Sequence, residues 1–228
     1  MPYGEGPLFH DRHDAGRRLA QVLIPYKGTK DAIILALPRG GVVIGYELSR
    51  TLHLPLDVFV TRKLGTPGNP ELAMGALTET GYRHLNTDII QSFGVSPVEL
   101  EEEVQRQRQE IERRIKQYRK DKSLPPLSGR TVLLVDDGIA TGATFYASLA
   151  ALRALNAGRL VAAVPVAPIN VPGELRSKVE EAIILGTPDL FFGIGQFYED
   201  FAQVRDEEVI ALLEKAHAVV GKTGSTET

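Results

Sequence analysis

The run Val132-Leu-Leu-Val-Asp136-Asp137-Gly-Ile-Ala140-Thr141-Gly142-Ala143-Thr144 ends four apolar residues on two adjacent carboxylates, then turns through a short Gly/Thr loop into a helical pattern. Gly142 removes a side chain where backbone N–H groups can approach a ligand closely. Those groups open a helix, whose dipole favours an anion. Thr141 and Thr144 add hydroxyl donors. Residues Ala140 to Thr144 therefore read as a cradle for a phosphate monoester. Asp136 and Asp137 would repel that phosphate; they suit neutral hydroxyls or a cation. A ligand with both a diol and a phosphate meets both demands, and a sugar phosphate such as ribose 5-phosphate is one.

Other uses of paired acids fit less well. A response-regulator receiver would bind Mg²⁺ beside a phospho-acceptor Asp, but no later strand ends in Asp and then Lys at suitable distances. A Walker B acid needs a P-loop, and "AHAVVGKT" (216–223) lacks the leading glycine. Simple capping of the next turn needs neither two acids nor a Gly/Thr cradle.

The elements that position this loop read as alternating strands and helices. A helix is expected over 12–24 with Ala15, Leu19, Val22 and Leu23 on one face. "DAIILAL" (31–37) reads as a buried parallel strand, followed by "PRGG" and a helix over 42–52. "LDVFVTR" (56–62) reads as a second strand, and 64–90, rich in Gly, Pro, Thr and Asn, as an exposed loop plus hairpin. Ser96-Pro97-Val98-Glu99 has capping-box spacing and starts a helix running to about Lys120. Leu100, Val104, Ile111, Ile115 and Tyr118 form its apolar stripe; its charged remainder suits a coiled-coil seam, an RNA-binding helix or, most simply, a solvated helix lying on the domain. Residues 131–135 read as the third strand, 142–156 as a helix ended by Gly158, 160–166 and 182–186 as further strands with a short helix at 173–181, and 205–220 as a last helix before a polar tail at 221–228. Such alternation implies an α/β fold with a parallel sheet, whose ligands bind beyond the carboxyl ends of the strands. Three of those ends carry polar residues: Arg39-Gly40-Gly41, Arg62-Lys63 and Asp136-Asp137.

Length and composition agree. The 228 residues suit one domain over 1–220 with an insertion at about 64–128, and 43% hydrophobic content suffices for a core. The absence of cysteine excludes disulfides and thiolate metal sites, and no apolar stretch reaches membrane-spanning length. A cytoplasmic protein is the simplest expectation. A net charge of −3 gives no support for nucleic-acid binding.

"VLLVDDGIATGAT" resembles the phosphoribosyl-pyrophosphate (PRPP) signature of type I phosphoribosyltransferases. The resemblance implies a Rossmann-like parallel-sheet core, Asp136 and Asp137 binding the ribose hydroxyls, Ala140 to Thr144 binding the 5′-phosphate, and Mg²⁺ reached by the acids indirectly. Gly138 stands where the family has a larger aliphatic residue or serine, which implies weaker local packing. "LALPRGG" (35–41) is similar to the family's pyrophosphate loop, often built on a non-proline cis peptide, with Arg39, Gly40 and Gly41 as ligands. "TRKLGTPGNP" (61–70) resembles the start of the flexible catalytic loop, with Arg62 and Lys63 neutralising pyrophosphate, and "ETG" (79–81) nominates Glu79 for proton transfer. "F-x-D-R-x-x-A-G-x-x-L-A" (9–20) completes a likeness to a stand-alone phosphoribosyltransferase group, spanning nearly the whole chain.

The sequence also departs from the family. The 6-oxopurine enzymes carry an Asp base at the position of Ala140 and a Lys near Ala167; both are missing. "PDLFFGIGQFYEDF" (188–201) is similar to their base-binding segment, so Phe191 or Phe192 is expected to stack on an acceptor. Residues 91–128 have no counterpart in the adenine enzymes. The expected function is transfer of a phosphoribosyl group to an unidentified, nitrogenous acceptor, with a PRPP-sensing regulator or a sugar-phosphate hydrolase as alternatives. A homodimer is common in such folds.

Overall fold

Five strands pair side by side in one parallel sheet: β1 (Ala32–Ala36), β2 (Leu56–Val58), β6 (Thr131–Val135), β7 (Arg159–Val166) and β8 (Glu181–Gly186), in the order β2-β1-β6-β7-β8. The interior stretches of β1, β6 and β7 are apolar in unbroken runs because both faces are covered. Ile34, Ala36, Leu133, Val135, Val161 and Ala163 point into one core, and Ile33, Leu35, Val132, Leu134, Leu160 and Ala162 into the other. Helices α1 (Arg12–Val22), α2 (Gly40–Leu52) and α7 (Asp206–Thr223) line the first core; α5 (Ala143–Ala154) and α6 (Val171–Arg176) line the second. The computed structural model describes residues 6–120 and 122–223.

Between β2 and β6 the chain builds a second unit. Strands β3 (Thr61–Thr66), β4 (Asn69–Thr78) and β5 (Arg83–Leu85) form an antiparallel sheet, followed by α3 (Thr87–Ser92) and the long α4 (Pro97–Arg119). The capping box at Ser96 is present: Ser96 N–H donates to Glu99 Oε2 at 2.9 Å and Glu99 N–H to Ser96 Oγ at 3.3 Å. Val104, Ile111 and Tyr118 are buried as the stripe predicts, turning α4 onto β3, β4 and α7. The other side of the hairpin packs on α5, where Thr61 Oγ1 and Ser148 Oγ hydrogen-bond at 2.8 Å.

Several expectations need correction. The run 56–62 is not one strand: it breaks after Val58, and Thr61 opens the second sheet. Phe59 and Val60 are each buried, but in opposite cores, so the apolar run hides the handover. Val22 is exposed rather than on the buried face of α1. Helix α5 ends at Ala154, and Asn156 takes the left-handed conformation at φ 59° in place of Gly158. The elements from β3 to α4 run over 61–119, and of the expected tail residues 221–223 belong to α7 while 224–228 lie outside the described residues.

Candidate functional site

Strands β1 and β6 are neighbours, so the loops leaving their carboxyl ends meet. The Pro38–Arg39 peptide is cis, as the resemblance implied. A Cβ on Gly40 would lie 1.9 Å from Asp137 Oδ2, and one on Gly41 only 3.0 Å from Asp136 Cα and Val135 O. Glycine at both positions is what lets the RGG loop rest on the acids.

Asp136 Oδ1 accepts the Asp137 N–H at 2.8 Å. Burial, then the charge of Asp137, push Asp136 well above the usual carboxylate range. Burial also raises Asp137, opposed by a nearby cation. That cation is Arg12: its Nε donates to Asp137 Oδ2 at 2.7 Å, its Nη1 to the Ala202 carbonyl at 2.8 Å, and its guanidinium lies 3.7 Å over the Phe201 ring. Tyr198 OH donates to the Asp137 carbonyl at 2.6 Å. Sequence reasoning missed Arg12; its signal was the arginine after the Asp11 N-cap in "F-x-D-R".

Gly142 has φ 78° and sits at the N-cap of α5, where no side chain caps the helix. The first amides of α5 are therefore left for a ligand. Thr141 is exposed and Thr144 half-buried beside them. A Cβ on Gly142 would meet the Tyr146 ring at 2.3 Å, and that ring is pinned by its hydroxyl, which donates to Glu174 at 2.8 Å.

Arg62 and Lys63 lie inside β3 and not at the end of β2. Both line a cleft of about 380 Å³ between the hairpin and α4, with Glu103, Arg106, Gln107 and Glu110 on the helix side. Arg62 Nε donates to the neutral Gln107 Oε1 at 3.0 Å. Burial lowers the Arg62 pKa, with the charge of Arg114 and, less, that of Arg39 adding to this and those of Glu110 and Glu103 opposing it. Arg39 has a long contact, 3.9 Å, with Asp206. Lys63 pairs with the exposed Glu71 at 2.8 Å.

Residues 9–185 match the phosphoribosyl transferase domain. The chain belongs to the phosphoribosyl transferase domain family. Two Mycobacterium tuberculosis proteins, from strains H37Rv and CDC 1551, each named "putative phosphoribosyl transferase", are 42% identical over 220 residues. That alignment covers 96% of this chain and 49% of each relative, so the chain spans about half their length. The crystal structure of TT1426 from Thermus thermophilus superposes with TM-score 0.75 at 40% identity, covering 91% of this chain and 98% of that one.

Within the family frame, Gly138 is not a packing defect. A Cβ there would sit 2.8 Å from Ile194 and 3.1 Å from Val166, so Ile194 occupies the space a larger residue takes. The Glu79 side chain faces Arg119. It is buried, both its oxygens accept from Arg119 Nη2 at 2.7 and 2.9 Å, and Oε2 also accepts the Val60 N–H at 3.0 Å. Arg119 Nε donates to Asp57 at 3.0 Å as well. Burial raises the Glu79 pKa, with only one cation opposing; burial lowers that of Arg119, but its two carboxylates outweigh this and the net is upward. Phe191 packs on Phe197 with centroids 5.0 Å apart, which commits it to the core, whereas Phe192 is 89% exposed.

Among the described residues no group of three His, Asp or Glu side chains could hold a metal ion. Mg²⁺ demands near-octahedral oxygen ligation and keeps waters or substrate oxygens. The donor set fits such an ion only where the ligand supplies most of the oxygens. No helix among the described residues is long and apolar enough to cross a membrane.

Proposed function

We propose that this chain transfers the 5-phosphoribosyl group of PRPP to a nitrogenous acceptor, breaking the bond from ribose C1 to pyrophosphate. The observation that supports it is the contact of Gly40 and Gly41 with Asp137 and Asp136, beside the uncapped start of α5. One edge of the sheet thus offers amides for the 5′-phosphate at Ala140, Thr141, Gly142, Ala143 and Thr144, carboxylates for the diol, and the RGG loop for pyrophosphate. Arg39 and Arg62 supply fixed positive potential where charge grows on the leaving group; Lys63 joins them once freed from Glu71. Mg²⁺, held indirectly by Asp136 and Asp137 through ribose hydroxyls or water, would act as template and Lewis acid. The same reading puts the chain in cytoplasmic nucleotide metabolism.

A PRPP-sensing regulator is the second reading. It is favoured by the burial of the Glu79 side chain against Arg119 and by Ala140 at the position of the 6-oxopurine enzymes' base. Incubation with PRPP, Mg²⁺ and a panel of bases, with a no-base control, separates these two and a sugar-phosphate hydrolase. Base-dependent pyrophosphate release supports the transferase, release without base points to a hydrolase, and binding without release to a sensor. A charge-assisted hydrogen bond contributes about 1.5–3 kcal/mol, so Asp136→Asn is expected to weaken PRPP binding about tenfold or more. Unchanged affinity in that variant would remove the assignment.

A further inference from the structure

Helix α1 and the segment after Phe197 have no part in the reaction described above, yet both reach the acid pair through Arg12. The Arg12 and Asp137 side chains are only 11% and 12% exposed. The guanidinium is engaged in three ways: Nε on Asp137 Oδ2, Nη1 on the Ala202 carbonyl, and its face on Phe201. A guanidinium can do this because its donors are fixed in a plane that also stacks; an ammonium cannot. The contact reaches a third place too, since a Cβ on Gly40 would come within 2.9 Å of Arg12 Nε. Arg12 therefore stands where the acid pair, the RGG loop and the C-terminal aromatic segment meet.

We propose that Arg12 is a positioning residue of the ribose site, fixing Asp137 Oδ2 so that the other oxygen and Asp136 are presented to the diol. This rests on the PRPP reading. Without the guanidinium, Asp137 would be a buried carboxylate beside a second one, free to rotate and to repel it. Tyr198 holds the Asp137 backbone by its carbonyl and Phe201 backs the guanidinium, so the segment 198–202 fixes the side chain from two directions. The competing account is an ion pair that merely fastens α1 to the C-terminal segment, with no effect on the ligand.

Calorimetric titration of PRPP with MgCl₂ into the wild type, Arg12→Met, Arg12→Lys, Asp137→Asn and the Arg12→Met/Asp137→Asn double variant distinguishes these accounts, with thermal unfolding measured in parallel. Arg12→Met is expected to lose about tenfold or more in PRPP affinity. Arg12→Lys should fall between it and the wild type. The double variant should bind about as poorly as Asp137→Asn alone, because both changes remove the same contact. In turnover assays KM for PRPP should rise more than kcat falls. A folded Arg12→Met protein that binds PRPP within about twofold of the wild type, while unfolding at lower temperature, would make Arg12 a fastener and overturn the proposal. If Arg12→Met does not fold, Arg12→Lys, which keeps the charge but loses the planar fork and the stacking on Phe201, is judged by the same criterion. Failure of the wild type itself to bind PRPP would remove the parent reading and this one with it, and is recognisable because it appears in the unmutated arm.

Discussion

The carboxyl edge of the five-stranded sheet and the inserted unit at 61–119 differ in how much directional bonding is added to apolar burial. Interior positions of β1, β6 and β7 are fully buried and apolar, so the frame rests on burial, which is non-directional and spread over many residues. The insertion also buries apolar residues, Leu64, Met74, Leu77, Val104 and Ile111 among them, but adds to them the buried polar side chains of Thr61, Thr66, Thr78, Glu103, Gln107 and Arg119. Its contacts are directional: Arg119 on Glu79 and Asp57, Glu103 on Gly65 N–H and Gln107, and Arg62 on Gln107. A frame of the first kind can leave amides and acids under-satisfied at its edge, ready for a ligand. A unit of the second kind depends on each partner being present.

That contrast is sharpest for Arg119→Met. Breaking a buried ion pair costs about 3–5 kcal/mol, because the surviving carboxylate stays buried without its partner. Hydrogen exchange should show β3, β4 and α4 losing protection while β6 keeps it. Uniform loss across both units would erase the distinction. Gly142→Ala acts on the other side of the comparison. A left-handed φ costs an L-residue about 1–2 kcal/mol, and the new Cβ would press on the pinned Tyr146 ring. Thermal unfolding should shift by only a few degrees, whereas PRPP binding, followed by ³¹P NMR, should be largely lost. The smallest effect is expected for Glu110→Gln. The hydrogen bond from Arg113, helped by Arg114 and opposed by burial, brings Glu110 from 4.5 down to about 2. Its stabilisation is therefore full above the unfolded value and fades as pH falls from about 4.5 towards 2. The variant should be less stable at pH 7 by under about 1 kcal/mol, since the pair is largely solvated. Chemical denaturation across that range should show the two proteins converging in acid; a gap that widens there would reverse the sign.

Most of the sheet was legible in the sequence because its strands are buried on both faces and their apolar runs admit few other readings. The start of α4 was legible because Ser96-Pro97-Val98-Glu99 carries its own hydrogen-bond logic. The break at Phe59 was not, because both its neighbours are apolar and no glycine or proline marks the change of sheet. Glu79 could not be placed, since its partner Arg119 is 40 residues away and only tertiary packing joins them. The same holds for Arg12 and Asp137, which are 125 residues apart. In the site, the motif-bearing loops could be read from residue type and spacing. What could not be read was the long-range ion pair that orders one of the acids.

A crystal structure with PRPP and Mg²⁺ bears most directly on the central claim. The 5′-phosphate should accept hydrogen bonds from the amides of residues 141–144, with the ribose hydroxyls against Asp136 and Asp137 and pyrophosphate along Arg39, Gly40 and Gly41. A ligand seated elsewhere, with the bend at Gly142 left vacant at full PRPP occupancy, would contradict the account.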